Sequence, residues 1–335
     1  MDTLTRALKE QTNLAHSPDT RATDPPMKAA STTAATKGTT KEGATALMAD
    51  TRQTKLAVSG WELEGISISG QETSIIVPRA KVTFDIGRCP QRACFQQTVL
   101  LSHTHLDHVG GLPFHVCTRN MLQLPPSKVV VPQGFSAGVR KLMDAVLELQ
   151  SSPPIDYEVL ELEAGQDFEL PSGFLCRTFP TTHAIPSQGY VLYSQRKKLK
   201  AELQGKSQAE IKELRFSGVD VSETHQVPEI AFTGDTTSAF LDAETNATLE
   251  DALKAKVLCI EMTFISEDVT VEEARGKGHM HITDFVAHAH RFQNETIVLI
   301  HFSPRYKRSE ILHQLDIMLP PALRAKCVPL LNGIE

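Results

Sequence analysis

An α/β sandwich, two mixed sheets with helices outside, is the fold class this sequence predicts, on three observations. From Gly60 onward, short runs rich in branched apolar residues alternate with turn residues and with longer helical stretches. Strands and helices interleave without a strict βαβ beat. A chain of 335 residues with 41% hydrophobic content can also bury a core large enough for such layers.

Residues 1–55 stand apart from this pattern. They are rich in Ala, Thr, Ser and Lys, as in STTAATKGTTKEGAT, and cannot bury enough apolar surface to offset their ordering entropy. They read as a disordered low-complexity extension. Asp2, Glu10, Asp19, Asp24, Glu42 and Asp50 interrupt it, whereas an organelle transit peptide is poor in acids. Residues 56–335 form the folded domain. Its strand candidates, in order, are ISISG, TSIIV, KVTFDIG, TVLLS, KVVV, FLCRTF, GYVLYS, EIAFTGD, KVLCIEM and TIVLIHF, each an apolar run bounded by turn residues. Helices are expected around PFHVCTRNML, VRKLMDAVLEL, AEIKELR and HITDFVAHAHRF, the last with Thr283 as N-cap.

Composition narrows the function classes. No apolar run approaches the roughly 20 residues that span a bilayer, so no membrane role is expected. The six cysteines, Cys89, Cys94, Cys117, Cys176, Cys259 and Cys327, include no CxxC pair and read as reduced thiols of an intracellular protein. A cytoplasmic or nuclear location fits, and the head leaves organelle import open. The net charge of −6 means that a polyanionic partner must be met by a local basic patch.

The chemistry begins at HTHLDH. The strand TVLLS runs into it, so His103, His105 and Asp107 alternate with Thr104 and Leu106 and are expected on one side. His108 falls at the bend, where Gly110, Gly111 and Pro113 turn the chain into a helix. A lone histidine at a strand end is ordinarily a solvated polar residue. Imidazoles and a carboxylate packed this densely suit zinc or a similar ion instead. Further ligand types close other apolar runs: FLCRTFPTTH ends at His183, EIAFTGD at Asp235 and TIVLIH at His301. Strand carboxyl ends gathered on one sheet edge form a crevice for a site. Asp235, between Gly234 and Thr236, can reach out of a tight turn and bridge two ions.

HTHLDH, TTH, FTGDT and IHFSPRY, in that order, resemble the metal motifs of the metallo-β-lactamase fold. The longer strings SHTHLDHVGGLP, AFTGDTT and HFSPRY are similar to the short form of tRNase Z, the endonuclease that removes 3′ trailers from precursor tRNA. The flanks GWELEGISISGQET, KVTFDIGRCP and SQGYVLYS point to its plant-type members. Over residues 60 to 335 the resemblance implies an αββα four-layer sandwich and two zinc ions per subunit, although the same donors accept manganese or iron. His103, His105 and His183 would hold one ion, Asp107, His108 and His301 the other, with Asp235 bridging. Two such ions can activate a water and stabilise the oxygens of an in-line displacement at phosphorus. Asp107 would orient or deprotonate that water. The family also pairs a carboxylate with a histidine as proton donor to the leaving oxygen. Here KVLCIEMTF offers Glu261, and GKGHMHITD offers His279 or His281, of which the plant-type pattern favours His279.

Arg305 in HFSPRY could clamp a phosphate bidentately or serve as an ion-pair partner. Residues 194–223 depart from the compact strand pattern and are locally basic, with Arg196, Lys197, Lys198, Lys200 and Lys206 as candidate phosphate contacts. A charge run is usually a solvated face; the resemblance implies an arm that grips folded tRNA by shape. It also implies a homodimer. Two competitors remain at this stage: another hydrolase of the same fold acting on a small phosphodiester, lactone, thioester or sulfate ester, and a non-catalytic RNA-binding scaffold.

Overall fold

The computed structural model describes residues 55–242 and 246–335. Apart from Lys55, the low-complexity extension read over residues 1–55 lies outside the described residues. The apolar runs form fourteen strands among those described. Seven lie side by side in sequence order in one sheet: β1 (Leu56–Val58), β2 (Trp61–Ile68), β3 (Glu72–Val77), β4 (Val82–Phe84), β5 (Thr98–Leu100), β6 (Ser127–Pro132) and β7 (Tyr157–Leu162). The second sheet repeats the arrangement with β8 (Asp167–Glu169), β9 (Leu175–Pro180), β10 (Gln188–Leu199), β11 (Ser222–Phe232), β12 (Val257–Glu261), β13 (Thr296–Ile300) and β14 (Cys327–Pro329). In each sheet the first four strands pair antiparallel and the rest add on in parallel. Both sheets are therefore mixed, as the sequence predicts.

Alternation along the strands builds the layers. In β13, Val298 and Ile300 pack between the sheets with Phe84, Leu100, Tyr190 and Phe232. Ile297 and Leu299 point the other way, against Phe285 and Leu315 of the helices Ile282–Ala287 and Arg308–Met318. On the first sheet, Val99, Leu101, Val129 and Val131 face Val116 and Met143 of the helices Leu112–Met121 and Ser136–Leu149. The result is an αββα sandwich whose middle seam includes the stacked rings of Phe84 and Phe232, 4.7 Å apart.

Strand direction then places the site. Antiparallel β10 lies between β9 and β11, so those two run the same way, and β12 and β13 are parallel to β11. The carboxyl ends of all four therefore share one edge. In the first sheet β4 and β5 are parallel and end together. The Gln188 amide donates to the Ser102 carbonyl at 2.9 Å and ties the two edges to each other.

Two local expectations are corrected. β5 stops at Leu100, and HTHLDH is not a strand continuation: Leu106–Val109 is a helical turn that carries Asp107 and His108. The cause is the His105 carbonyl, which accepts from the His108 and Val109 amides at 2.9 and 3.0 Å and starts the turn. The helix in HITDFVAHAHRF is capped by His281, whose Nδ1 accepts from the Thr283 amide at 3.2 Å, so Thr283 lies inside the helix.

One buried group sets a pH response of the fold. His115 lies under the first sheet, with Nε2 2.9 Å from Ser127 Oγ. Burial, helped by the neighbouring Arg119 charge, pulls its pKa down to about 3 from 6.5. Below the ordinary value the unfolded chain binds a proton that the folded chain refuses, so stability falls as pH drops toward 3, by up to about 1.4 kcal/mol per unit. In urea titrations, His115→Gln should lose stability less steeply than the parent across this window. Equal slopes would show that His115 does not contribute.

Candidate metal centre

The ligand-type residues meet where the two sheet edges meet. His103, His105 and His183 bring their donor nitrogens within 4.8 Å of one another, and Asp107, His108 and His301 form a second such triad. Asp235 stands between them: its Oδ2 lies 3.7 Å from His103 Nε2, 3.3 Å from His108 Nε2 and 3.5 Å from His301 Nε2. Local backbone puts the side chains there. Just past β11, Gly234 adopts φ 62°, and a Cβ there would lie 2.3 Å from Ser102 Cβ, so only glycine lets Asp235 turn inward. His301 itself adopts φ 61° just after β13, a left-handed conformation uncommon outside glycine that histidine enters more readily than most residues.

Hydrogen bonds behind the cluster fix which nitrogen faces it. His183 donates from Nδ1 to the Gly278 carbonyl at 2.7 Å, and His108 donates from Nδ1 to Asp85 Oδ2 at 2.7 Å. Ser102 Oγ gives its proton to Asp85, so it accepts from His103 Nδ1 at 3.0 Å. Thr263 Oγ1 gives its proton to Glu261, so it accepts from His301 Nδ1 at 3.1 Å. Four imidazoles thus turn Nε2 toward the centre. His105 adds its Nδ1, 3.1 Å from both His103 Nε2 and His183 Nε2. Lone pairs converging at this range repel unless positive charge lies among them, and anchored outer nitrogens are the usual support of metal-bound histidine. The donor set therefore fits divalent metal.

Protonation of the chain alone points the same way. Burial opposes a charged His108, but Asp235 and Asp85 outweigh it and hold the His108 pKa well above its ordinary value. Burial likewise works to raise Asp107, yet hydrogen bonds from His108 and His301 keep its carboxyl far below the usual range. His103 is pushed down by burial and by the charge of His108. Protons here occupy a place that metal ions can take over.

Beside the cluster, His279 Nδ1 lies 3.1 Å from Glu261 Oε1. Glu261 is fully buried and held by the Thr236 amide at 2.6 Å, the Met280 amide at 3.2 Å and the Thr263 hydroxyl. Burial lowers the His279 pKa, but the charge and hydrogen bond of Glu261 outweigh it and lift it to about 9. His281 is occupied otherwise, with Nδ1 capping its helix and Nε2 bonded to the Ser266 carbonyl at 3.2 Å. Of the two histidines in HMH, His279 is the one at the centre.

Arg305 is not drawn into the cluster. Its Nη1 donates to Asp268 Oδ2 at 2.9 Å and its guanidinium lies 5.5 Å from the centre of the Phe264 ring. The basic stretch is a projecting hairpin: β10 and β11 stay paired out to Leu199 and Ser222, and the tip carries the helix Gln208–Phe216, none of whose residues is buried. Lys197, Lys198 and Lys206 are exposed on it and Lys200 is half-buried, whereas Arg196 pairs with Glu229 at 3.1 Å near the root. Sequence reasoning missed Asp85, Ser102, Thr263 and the Gly278 carbonyl. Asp85 closes the apolar run VTF as Asp235 closes IAF, so the same strand-end rule finds it; the other three carry no such signal.

The model of the beta-lactamase superfamily domain matches residues 96–302. Among curated proteins, tRNase Z TRZ1 of Arabidopsis thaliana is 45% identical over 83% of this chain and 98% of its own length. The chain belongs to the tRNase Z family. A second relative of this tRNase Z, the chloroplastic tRNase Z TRZ2 of Arabidopsis thaliana, is 42% identical over 83% of the chain and 77% of its own length. The solved metallo-beta-lactamase fold protein YhfI from Bacillus subtilis shares the fold alone, at 12% identity and TM-score 0.51 over 79% of this chain and 93% of that one. All seven expected ligand residues of this tRNase Z, from His103 to His301, fall inside the span matched by the superfamily domain.

Proposed function

We infer that the chain is a zinc-dependent endoribonuclease that cuts the 3′ trailer from precursor tRNA. The observation that carries the reading is the convergence of His103, His105, Asp107, His108, His183 and His301 around Asp235, with the His279–Glu261 pair alongside. Two divalent ions held by these seven residues would acidify a water and neutralise charge building on the phosphate. Imidazole and carboxylate donors suit zinc, with manganese or iron the alternatives that elemental analysis would separate.

The chain's own groups perform the proton transfers. Asp107, steadied by the Gly70 amide at 2.8 Å, would orient the attacking water or take its proton. The water oxygen bonds to phosphorus as the bond from phosphorus to the ribose O3′ breaks. His279, kept as imidazolium by Glu261, gives its proton to the departing O3′. The tRNA is left with a 3′-hydroxyl and the trailer with a 5′-phosphate. Arg305 enters as a phosphate contact by exchanging Asp268 for substrate.

Folded tRNA would be gripped by the projecting arm of residues 194–223 in the folded domain 56–335, through Lys197, Lys198, Lys200 and Lys206, with Arg196 at its root. A homodimer is supported by Leu106, Phe114 and Met121, large apolar side chains left exposed next to the ligand loop. Cytoplasm or nucleus is the compartment we infer, with organelle import through the head the alternative; no helix among the described residues is long and apolar enough to cross a membrane.

Incubation with trailer-bearing precursor tRNA and with small phosphodiester, lactone and thioester substrates tests the reading. Trailer release with a 3′-hydroxyl on the tRNA is expected. Turnover of the small substrates alone would assign a different hydrolase, and RNA binding without cleavage a scaffold. Lys197→Ala with Lys198→Ala should weaken precursor binding and make the slope of log affinity against log salt shallower by about 1 to 2, while a small chromogenic phosphodiester is cut at the parental rate. Equal loss on both substrates would remove the arm from the account.

A further inference from the structure

Outside the ligand cluster, two thiols meet under the loop that carries it. Cys89 Sγ and Cys94 Sγ are 3.4 Å apart, Cys89 half-buried and Cys94 buried. Cys94 belongs to the short 3-10 turn Gln91–Phe95, and Arg119 clamps that turn by donating to the carbonyls of Cys94 at 2.8 Å and Gln96 at 2.9 Å. Cys89 lies at the end of the segment that leaves β4, with φ 53°. Hydrogen bonding between the two thiols, with Arg119 nearby, lowers the Cys94 pKa and raises that of Cys89, whereas burial, joined at Cys176 by the Asp167 charge, pushes up Cys176, Cys259 and Cys327. The pair therefore combines a thiolate-prone sulfur with a partner in reach, as the remaining cysteines do not.

The segment bearing Cys89 is interlocked with the ligand loop. The Ile86 amide donates to the His108 carbonyl at 2.7 Å, and the Gly111 amide donates back to the Ile86 carbonyl at 2.8 Å. A Cβ on Gly87 would lie 2.1 Å from the Asp107 carbonyl oxygen, and one on Gly111 would lie 2.3 Å from the Cys89 nitrogen. Asp85, four residues before Cys89, holds the outer nitrogen of His108. No slack separates these strands of chain, so a displacement at Cys89 reaches Asp107 and His108.

We propose that Cys89 and Cys94 are an oxidation site, a dithiol that closes to an intramolecular disulfide and thereby displaces the turn holding Asp107 and His108. A disulfide needs about 2.05 Å between sulfurs, so the thiols must close from 3.4 Å. Arg119 fixes Cys94, and Cys89 is the sulfur that moves. With hydrogen peroxide as oxidant, the Cys94 thiolate attacks one oxygen, the O–O bond breaks, and hydroxide leaves and is protonated to water. Cys89 sulfur then attacks the resulting sulfenic acid, the S–O bond breaks, and a second water departs with the Cys89 proton. Two thiols and one peroxide give one disulfide and two waters.

The consequence for metal rests on the ligand reading above, and the test keeps the two apart. The full chain, loaded with zinc, is exposed to graded peroxide, alkylated and mapped by peptide mass spectrometry. A Cys89–Cys94 link should form before any change at Cys117, Cys176, Cys259 or Cys327, and dithiothreitol should reverse it. Another pair closing first, or irreversible oxidation at Cys94 without a link, would overturn the site. In the linked protein, zinc affinity measured by competition with a chelator should drop by about 10-fold or more, as when an outer support of a ligand is lost. Cys89→Ser, at the half-buried position, should keep its zinc under the same peroxide. A link that leaves zinc affinity unchanged would overturn the coupling. The mapping result stands or falls independently of whether precursor tRNA is the substrate.

Discussion

Replacing His279 with alanine should slow trailer removal from precursor tRNA by about 10²- to 10⁴-fold in kcat, the span that a positioned proton donor supplies. Ribose O3′ is a strongly basic leaving group and departs poorly without a proton. A phenolate leaving group is weakly basic and needs none. The same variant should therefore cut a small chromogenic phosphodiester nearly as well as the parent, because Asp235 and both ligand triads are untouched. This split separates a proton donor from a group that merely supports the centre, which would slow both substrates alike. His281→Ala provides the contrast. Its ring caps the helix Ile282–Ala287, so a loss of about 1 kcal/mol in stability is expected, with kcat preserved. Parental cleavage by His279→Ala, or equal losses on both substrates, would rule out His279 as the proton donor.

Asp235→Asn should be the most damaging single change to metal retention. Its Oδ2 faces His103, His108 and His301 within 3.3 to 3.7 Å and also lies 3.8 Å from His279 Nδ1. Among the described residues Asp235 is the carboxylate that pairs with ligands of both triads, and an amide there supplies neither the charge nor the second acceptor that bridging needs. Losing an outer support already costs about 10- to 100-fold in metal affinity or activity, so losing the carboxylate that we infer bridges two ions should exceed that, with less than two ions retained per chain and precursor cleavage down by more than about 100-fold. Elemental analysis of the purified variant, with a thermal melt to confirm that it folds, is the measurement. Two ions per chain together with the parental rate would remove Asp235 from its bridging place.

Much of this was legible in the sequence because ligands at strand ends leave a local trace. His183, Asp235 and His301 each follow an apolar run, and the runs became β9, β11 and β13. Two mixed sheets with helices outside followed from the same runs, and the αββα four-layer order from the family resemblance. What stayed hidden was decided by contacts distant along the chain. Thr263 matters because its hydroxyl joins Glu261 to His301, and nothing in MTF announces that. The helical turn at Asp107 and His108 was misread because HTHLDH alternates like a strand, and only the carbonyl of His105 starting a helix settles its shape. Arg305 read equally well as phosphate clamp or ion-pair partner, and its bond to Asp268 depends on a loop 37 residues earlier. The matching strand order of the two sheets left no visible repeat, since packing conserves direction and apolarity and not residue identity.

That matching order divides the ligands between two half-molecules. The earlier half contributes four donors from a single loop, and the later half contributes His183, Asp235 and His301 from three separate loops. Neither half can complete coordination alone. On the ligand reading proposed above, capture of the ions would be a clasp across the seam, and its free energy would add to the cohesion of the two halves. On that reading, a nascent chain would acquire full affinity only after His301, which follows β13, has docked.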